Sequence, residues 1–197
     1  KLEQAGCDIL FNPDVDEMYA GHEQWHLNLG EIEFLLEGKF RPGHYQGVTQ
    51  VVYKLFDIIK PGIAFFGQKD YQQFMVIGKM VQLLNLPVKL IMCPILRDPD
   101  GLAMSSRNVH LSVAERGNAL ALSRALFWLR DHFDRKKITV LQQQALDMLH
   151  QQPGIKPEYF TIANAGTLQG ADETTGRIIA LVAAWVGQTR LIDNIFL

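Results

Sequence analysis

From Val48 onward the apolar residues fall at Val48, Val51, Val52, Leu55, Phe56 and Ile59. That is the spacing of one helical face, and it stops at Pro61-Gly62. Ile63-Ala64-Phe65-Phe66 follows without alternation, which predicts a parallel strand covered on both faces and ended by Gly67. A second helical stripe, with core positions Phe74, Ile77, Met80 and Val81, predicts a helix capped by Asp70 and running to about Leu84. Val88 to Cys93 is then a further strand, and strand, helix, strand at this spacing is the βαβ signature. Upstream the pattern is weaker. Lys1 to Gly6 reads as the last turn of a helix. Cys7 to Phe11 reads as a short buried strand closed by Asn12-Pro13, Trp25 to Leu29 as a second strand, and Glu31 to Leu36 as a weak helix. Glu37 to Gly47, with three glycines and a proline, reads as a loop.

Between Pro94 and Asp100 the pattern changes. Ser112-Val113-Ala114-Glu115 is a capping box that opens a helix through about Phe133. Its stripe of Leu122, Leu126, Leu129 and Phe133 is core. A second helix covers Ile138 to Gln151, with Thr139 near its cap, and Pro153-Gly154 breaks it. Tyr159 to Ala163, Arg177 to Trp185 and Leu191 to Ile195 read as strands, the last two joined by a tight turn over Gly187 to Arg190. The fold class is therefore α/β with a parallel sheet, followed by a smaller α+β part with an antiparallel sheet.

A chain of 197 residues can hold one domain or two small ones. Nineteen Lys and Arg stand against 21 Asp and Glu, a net charge of -2, which argues against a nucleic-acid partner. No run approaches the ~18 apolar residues of a membrane span, and no signal peptide is visible. Cys7 and Cys93 lie far apart among apolar neighbours and read as buried free thiols, so nothing demands an oxidising compartment. His22, His26, His110, His132 and His150 are read as surface residues.

Two stretches carry candidate chemistry. In Phe66-Gly67-Gln68-Lys69-Asp70-Tyr71-Gln72-Gln73 a glycine ends a strand and a helix begins. Such turns offer free backbone N–H groups and a positive dipole end to anions, and Lys69 adds a mobile charge. Gln73, one turn in, could bond a hydroxyl or carboxylate. In Asp100-Gly101-Leu102-Ala103-Met104-Ser105-Ser106-Arg107-Asn108, two hydroxyls and a guanidinium suit phosphate oxygens, on what should be a mobile surface loop. Taken singly, a plain capped turn and an ordinary polar loop explain these stretches as well. Arg41-Pro42-Gly43-His44 could add a cation or an imidazole, or be only a rigid turn.

Together these stretches closely resemble the pantoate–β-alanine ligase family. The matches are Glu37-Gly38, Arg41 to Tyr45, Gly47-Val48, Phe66 to Gln73, Asp100 to Asn108, Leu181 to Trp185 and Arg190 to Asn194, in order along nearly the whole chain. The resemblance implies a Rossmann-like, nucleotidyl-transferase (HUP-type) nucleotide-binding domain, here its C-terminal part in residues 1–96, and a C-terminal α+β lid domain in 97–197. It implies ATP-dependent condensation of pantoate with β-alanine through a pantoyl adenylate, with Mg²⁺ assistance, in a cytoplasmic homodimer of the full-length protein. Gly67, Gln68, Lys69, Asp70, Leu96, Met104, Ser105, Ser106 and Arg107 are implied to contact ATP, Lys69 and Arg107 catalytically, and Gln73 to bind pantoate. Gln68 stands where the family usually has Glu. The family's HxGH motif occurs nowhere in the chain. The chain thus resembles a C-terminal portion, and by itself is expected to be inactive. A nucleotide-binding module without catalysis, or another adenylate-forming enzyme, is the competing reading.

Overall fold

The computed structural model describes residues 2–19 and 24–197. His22 and Lys1 lie outside the described residues. The elements are α1 (Val15–Met18), α2 (Leu36–Phe40), α3 (His44–Ile59), β1 (Ile63–Gly67), α4 (Tyr71–Leu83), β2 (Lys89–Cys93), α5 (Val113–Asp131), α6 (Ile138–Gln151), β3 (Ile155–Asn164), β4 (Ile178–Val186) and β5 (Thr189–Phe196).

β1 and β2 pair in parallel, from Ile63 opposite Lys89 to Gly67 opposite Cys93, with α4 as their crossover. β3, β4 and β5 form an antiparallel sheet with β4 in the middle. The expected α/β part followed by an α+β part is what the chain forms.

The apolar density of β4 explains where the cores sit. Ala180, Val182, Ala184 and Val186 share one core with Leu122, Leu126 and Leu129 of α5 and Leu149 of α6. Ile179 and Leu181, on the opposite face, share a second core with Tyr71, Ala163, Ala165 and Leu168, against which Met75 of α4 and Met92 of β2 pack. Successive strand residues point to opposite faces, so one strand serves both cores. The antiparallel sheet is thus a wall, with α5 and α6 behind it and the α4 side in front. The hairpin from β4 to β5 turns on two residues, and Gly187 supplies the positive φ of 57° that tight hairpins need.

Several expectations fail for identifiable reasons. Cys7 to Phe11 is not a strand, and Ile9, Leu10 and Phe11 are exposed. A strand needs a neighbour to bond, and among the described residues β1 and β2 pair only with each other. Cys7 is therefore exposed rather than buried, and Cys93 is half-buried; both are free thiols. Trp25 to Leu29 is irregular, held by a side chain: the Gln46 amide bonds the Leu27 N–H and C=O, each at 3.0 Å. The loop expected over Glu37 to Gly47 is mostly helical, because Gly43, at φ 76°, ends one connection and lets α3 begin at His44. β1 is covered on one face only, with Ile63 and Phe65 exposed. Thr139 does lie near the cap of α6, as its second residue, but Lys137 holds the cap position and no side chain makes a capping bond. The α5 capping box forms as expected, and His26, His110, His132 and His150 are exposed.

Candidate active site

β1 delivers Gly67 to the edge of the parallel pair, and Gln68–Asp70 form one 3-10 turn before α4. Asp70 sits at the cap position, but its side chain makes no capping bond, contrary to expectation. The turn is held from outside. Asn194 of β5 donates through Nδ2 to the carbonyls of Gln68 and Lys69, both at 3.0 Å, and its Oδ1 accepts from Gln68 Nε2 at 3.1 Å. The next residue back, Asp193, binds the Arg97 guanidinium at 2.6 and 2.9 Å. Burial pushes the Asp193 carboxyl up, and Arg97 pulls against it.

The second stretch lies at the surface, with Met104, Ser106 and Arg107 exposed, and is tied to its neighbours at several points. Leu102 and Ala103 are buried. Arg116 of α5 binds Asp98 at 2.9 Å and Asp100 at 2.8 Å. Asn108 Nδ2 donates to the Ala103 carbonyl at 3.0 Å, and Ser105 caps a 3-10 turn over Ser106–His110 by accepting from the Arg107 N–H. Arg107 Nη1 donates to the Arg190 carbonyl at 3.0 Å.

These parts surround one cavity of about 320 Å³. Lys69, Asp70 and Gln73 line it from the turn and α4, Ser105, Ser106 and Arg107 from the second stretch, Arg41 from the end of α2 and His44 from the start of α3. Volumes of about 300–1,000 Å³ are usual for small-molecule sites. Lys69 has no ion pair among the described residues. The structure does not bring Leu96, Met104, Gly67 or Gln68 to the cavity wall. Leu96 and Met104 are exposed neighbours, joined by Met104 N–H to Leu96 C=O at 2.9 Å. A Cβ on Gly67 would meet nothing within 4 Å, so open space borders the turn.

The cavity also contains a buried ionic network. Arg190 grips Glu37 with two bonds, 2.7 and 2.8 Å, and Glu158 with 2.8 and 2.9 Å. Tyr159 Oη donates to Glu37 at 2.8 Å. Burial raises the Glu37 carboxyl, but the bonds from Arg190 and Tyr159 and the charges of Arg190 and Arg41 outweigh it, leaving it below 4.5. Burial, then the positive Arg41, holds the His44 imidazole below its ordinary 6.5, with Arg107 adding to the effect and Glu37 and Asp70 opposing it. A neutral imidazole can accept a proton at neutral pH. The backbone of Glu37 is set by Gln72, which accepts its N–H at 3.0 Å and donates to the carbonyls of Ile32 and Leu35 at 2.8 Å. Glu37, Tyr159, Arg190 and Asn194 went unnoticed as site residues in the sequence. Glu37, Arg190 and Asn194 do fall in stretches that carry the resemblance, but no spacing announces that they meet.

The family model described as pantoate-beta-alanine ligase matches residues 1–196. The chain belongs to the pantoate–β-alanine ligase family.

A pantothenate synthetase of Dehalococcoides mccartyi is 47% identical over 199 residues, which is all of this chain and 74% of that protein. One of Pseudothermotoga lettingae is 43% identical, covering all of this chain and 70% of its own length. Among solved structures, a pantothenate synthetase from Thermus thermophilus superposes with a TM-score of 0.89 at 37% identity, over 98% of this chain and 71% of that one. A pantoate-beta-alanine ligase from Francisella tularensis, described as complexed with beta-gamma ATP and beta-alanine, gives 0.75 at 32% identity, over 99% of this chain and 67% of that one. Among the described residues no helix is long and apolar enough to cross a membrane.

Proposed function

We propose that this ligase joins pantoate to β-alanine at the expense of ATP, and that the cavity between Lys69 and Arg107 is where pantoate is adenylated. One observation carries the assignment of the site: two cations from separate stretches of chain, Lys69 and Arg107, line one cavity together with the hydroxyls of Ser105 and Ser106. A pantoate carboxylate oxygen attacks the α-phosphorus of ATP, and the bond to the β-phosphate oxygen breaks. Negative charge grows on the leaving pyrophosphate, where Lys69 and Arg107 offset it. The β-alanine amine then attacks the acyl carbon, AMP leaves, and the amine loses a proton. His44, which lines the cavity and whose imidazole burial and Arg41 hold below its ordinary pKa, is assigned as an acceptor for that proton.

Gln73, on the same wall as Lys69, is assigned to pantoate. Gly67, Gln68, Asp70, Met104, Ser105 and Ser106 are assigned to the side of the ATP phosphates, and Leu96 to the adenine side. Mg²⁺ enters with ATP, held mainly by phosphate oxygens and water. Among the described residues no three potential ligands cluster, and Asp70 is the carboxylate of the turn nearest that role. In keeping with the family resemblance, residues 1–96 are read as the nucleotide-binding part and 97–197 as the lid, and the full-length enzyme as a cytoplasmic homodimer.

The test is AMP release from pantoate, β-alanine and ATP by the full-length protein, since residues 1–197 alone are expected to be inactive. Changing Lys69 to Ala should cut the rate by about 10²–10³, the usual loss for one preorganised charge partner. AMP formed with other hydroxy acids but not with pantoate would overturn the substrate assignment.

A further inference from the structure

β5 touches both phosphate-directed stretches at once. Asn194 spends both Nδ2 hydrogens on the carbonyls of Gln68 and Lys69. Asp193 holds Arg97, and Arg97 in turn donates to the Gly101 carbonyl at 3.1 Å and bridges to Ala103. Arg97 is therefore the root of the segment that ends in Arg107. The two grips are tied together, because the Asp193 carboxylate also accepts the Asn194 N–H at 2.8 Å. Both residues are almost fully buried, at 4% and 2% exposure. Among the described residues the Lys69 side chain has no ion pair to fix it, so its place is set by its backbone.

We propose that Asp193 and Asn194 are positioning residues that keep Lys69 in register with Arg107 for transfer to the α-phosphorus. The inference rests on the reading of the cavity as the adenylation site. Both residues line the cavity, but the role assigned to them is carried by their bonds to Gln68, Lys69 and Arg97 and needs no contact with substrate. Asn194 stops the turn from moving away from β5, and Asp193 keeps the second stretch at a fixed offset from it. Misplacing a reacting arrangement by about 1 Å costs on the order of 100-fold in rate. Gln73 lies on α4 beyond the turn and makes no bond to β5, so pantoate binding is not coupled to the grip.

The full-length protein is compared with its variants Asn194→Leu, which removes all the amide bonds, and Asn194→Asp, which keeps the shape and the Gln68 bond but loses both donations. The expected result is a fall of about 100-fold in kcat for AMP formation, with KM for pantoate within about threefold. Hydrogen exchange of the 67–70 amides should rise about tenfold, while that of α5 and α6 stays at the wild-type rate. A structural defect would instead lower activity in proportion to the folded fraction and raise exchange everywhere. If Asn194→Leu does not fold, Asn194→Asp and the exchange measurement decide. A kcat within about threefold of wild type in a folded variant, or unchanged exchange at 67–70, overturns the proposal. Full-length wild-type protein that releases no AMP would overturn the functional reading instead, and the exchange comparison would still judge the grip.

Discussion

Replacing Glu37 by Gln tests the ionic network directly. Glu37 and Arg190 side chains are only 10% and 9% exposed, and two bonds of 2.7 and 2.8 Å join them. Removing one partner of a buried pair typically costs about 3–5 kcal/mol, because the other charge is left uncompensated. Gln keeps the shape and one acceptor oxygen, and Arg190 retains Glu158, so the expected loss is smaller, about 2–3 kcal/mol at pH 7. Against a total stability of about 5–15 kcal/mol that is a large fraction. Urea unfolding followed by circular dichroism should show the midpoint falling by about 1 M, for a slope of about 2 kcal/mol/M. The pH dependence is a second check. The folded Glu37 titrates below its ordinary 4.5. Its contribution is therefore complete above that pH and is lost as pH falls through the folded value. The gap between wild type and variant should narrow below 4.5, since protonated Glu resembles Gln. A loss under about 1 kcal/mol at pH 7, or a gap that widens on acidification, would refute the reasoning.

Tyr159→Phe removes one bond to the same carboxylate and should cost about 1.5 kcal/mol by urea unfolding. Leu126→Ala opens a cavity at a fully buried site and should cost about 2–5 kcal/mol. Gly187→Ala places a Cβ against the Glu115 carboxylate at a φ of 57°; it should lower thermal stability by more than about 1 kcal/mol. An imidazole NMR titration should put the His44 midpoint below 6.5, and Arg41→Ala should move it upward.

The helices α3, α5 and α6, the βαβ unit and the final hairpin were legible because each is dictated by residues near one another: a 3.6-residue stripe, a capping box, a Gly at a turn. The two phosphate-directed stretches were legible for the same reason, as short runs of Gly, Ser, Lys and Arg. What the sequence could not show is contact across long separations. Glu37 and Arg190 are 153 residues apart, and Gln68 and Asn194 are 126 apart. Neither pair follows from local pattern, since only the folded sheet brings β5 across the front of the turn. The misread strand at Cys7 to Phe11 makes the same point in reverse. An apolar run states a preference for burial, and whether it becomes a strand depends on a neighbour that lies elsewhere in the chain. Local periodicity thus determined the elements and the candidate chemistry, and the tertiary structure alone decided which charges meet, because hydrogen bonds and ion pairs act over a few ångströms in space without regard to distance along the sequence.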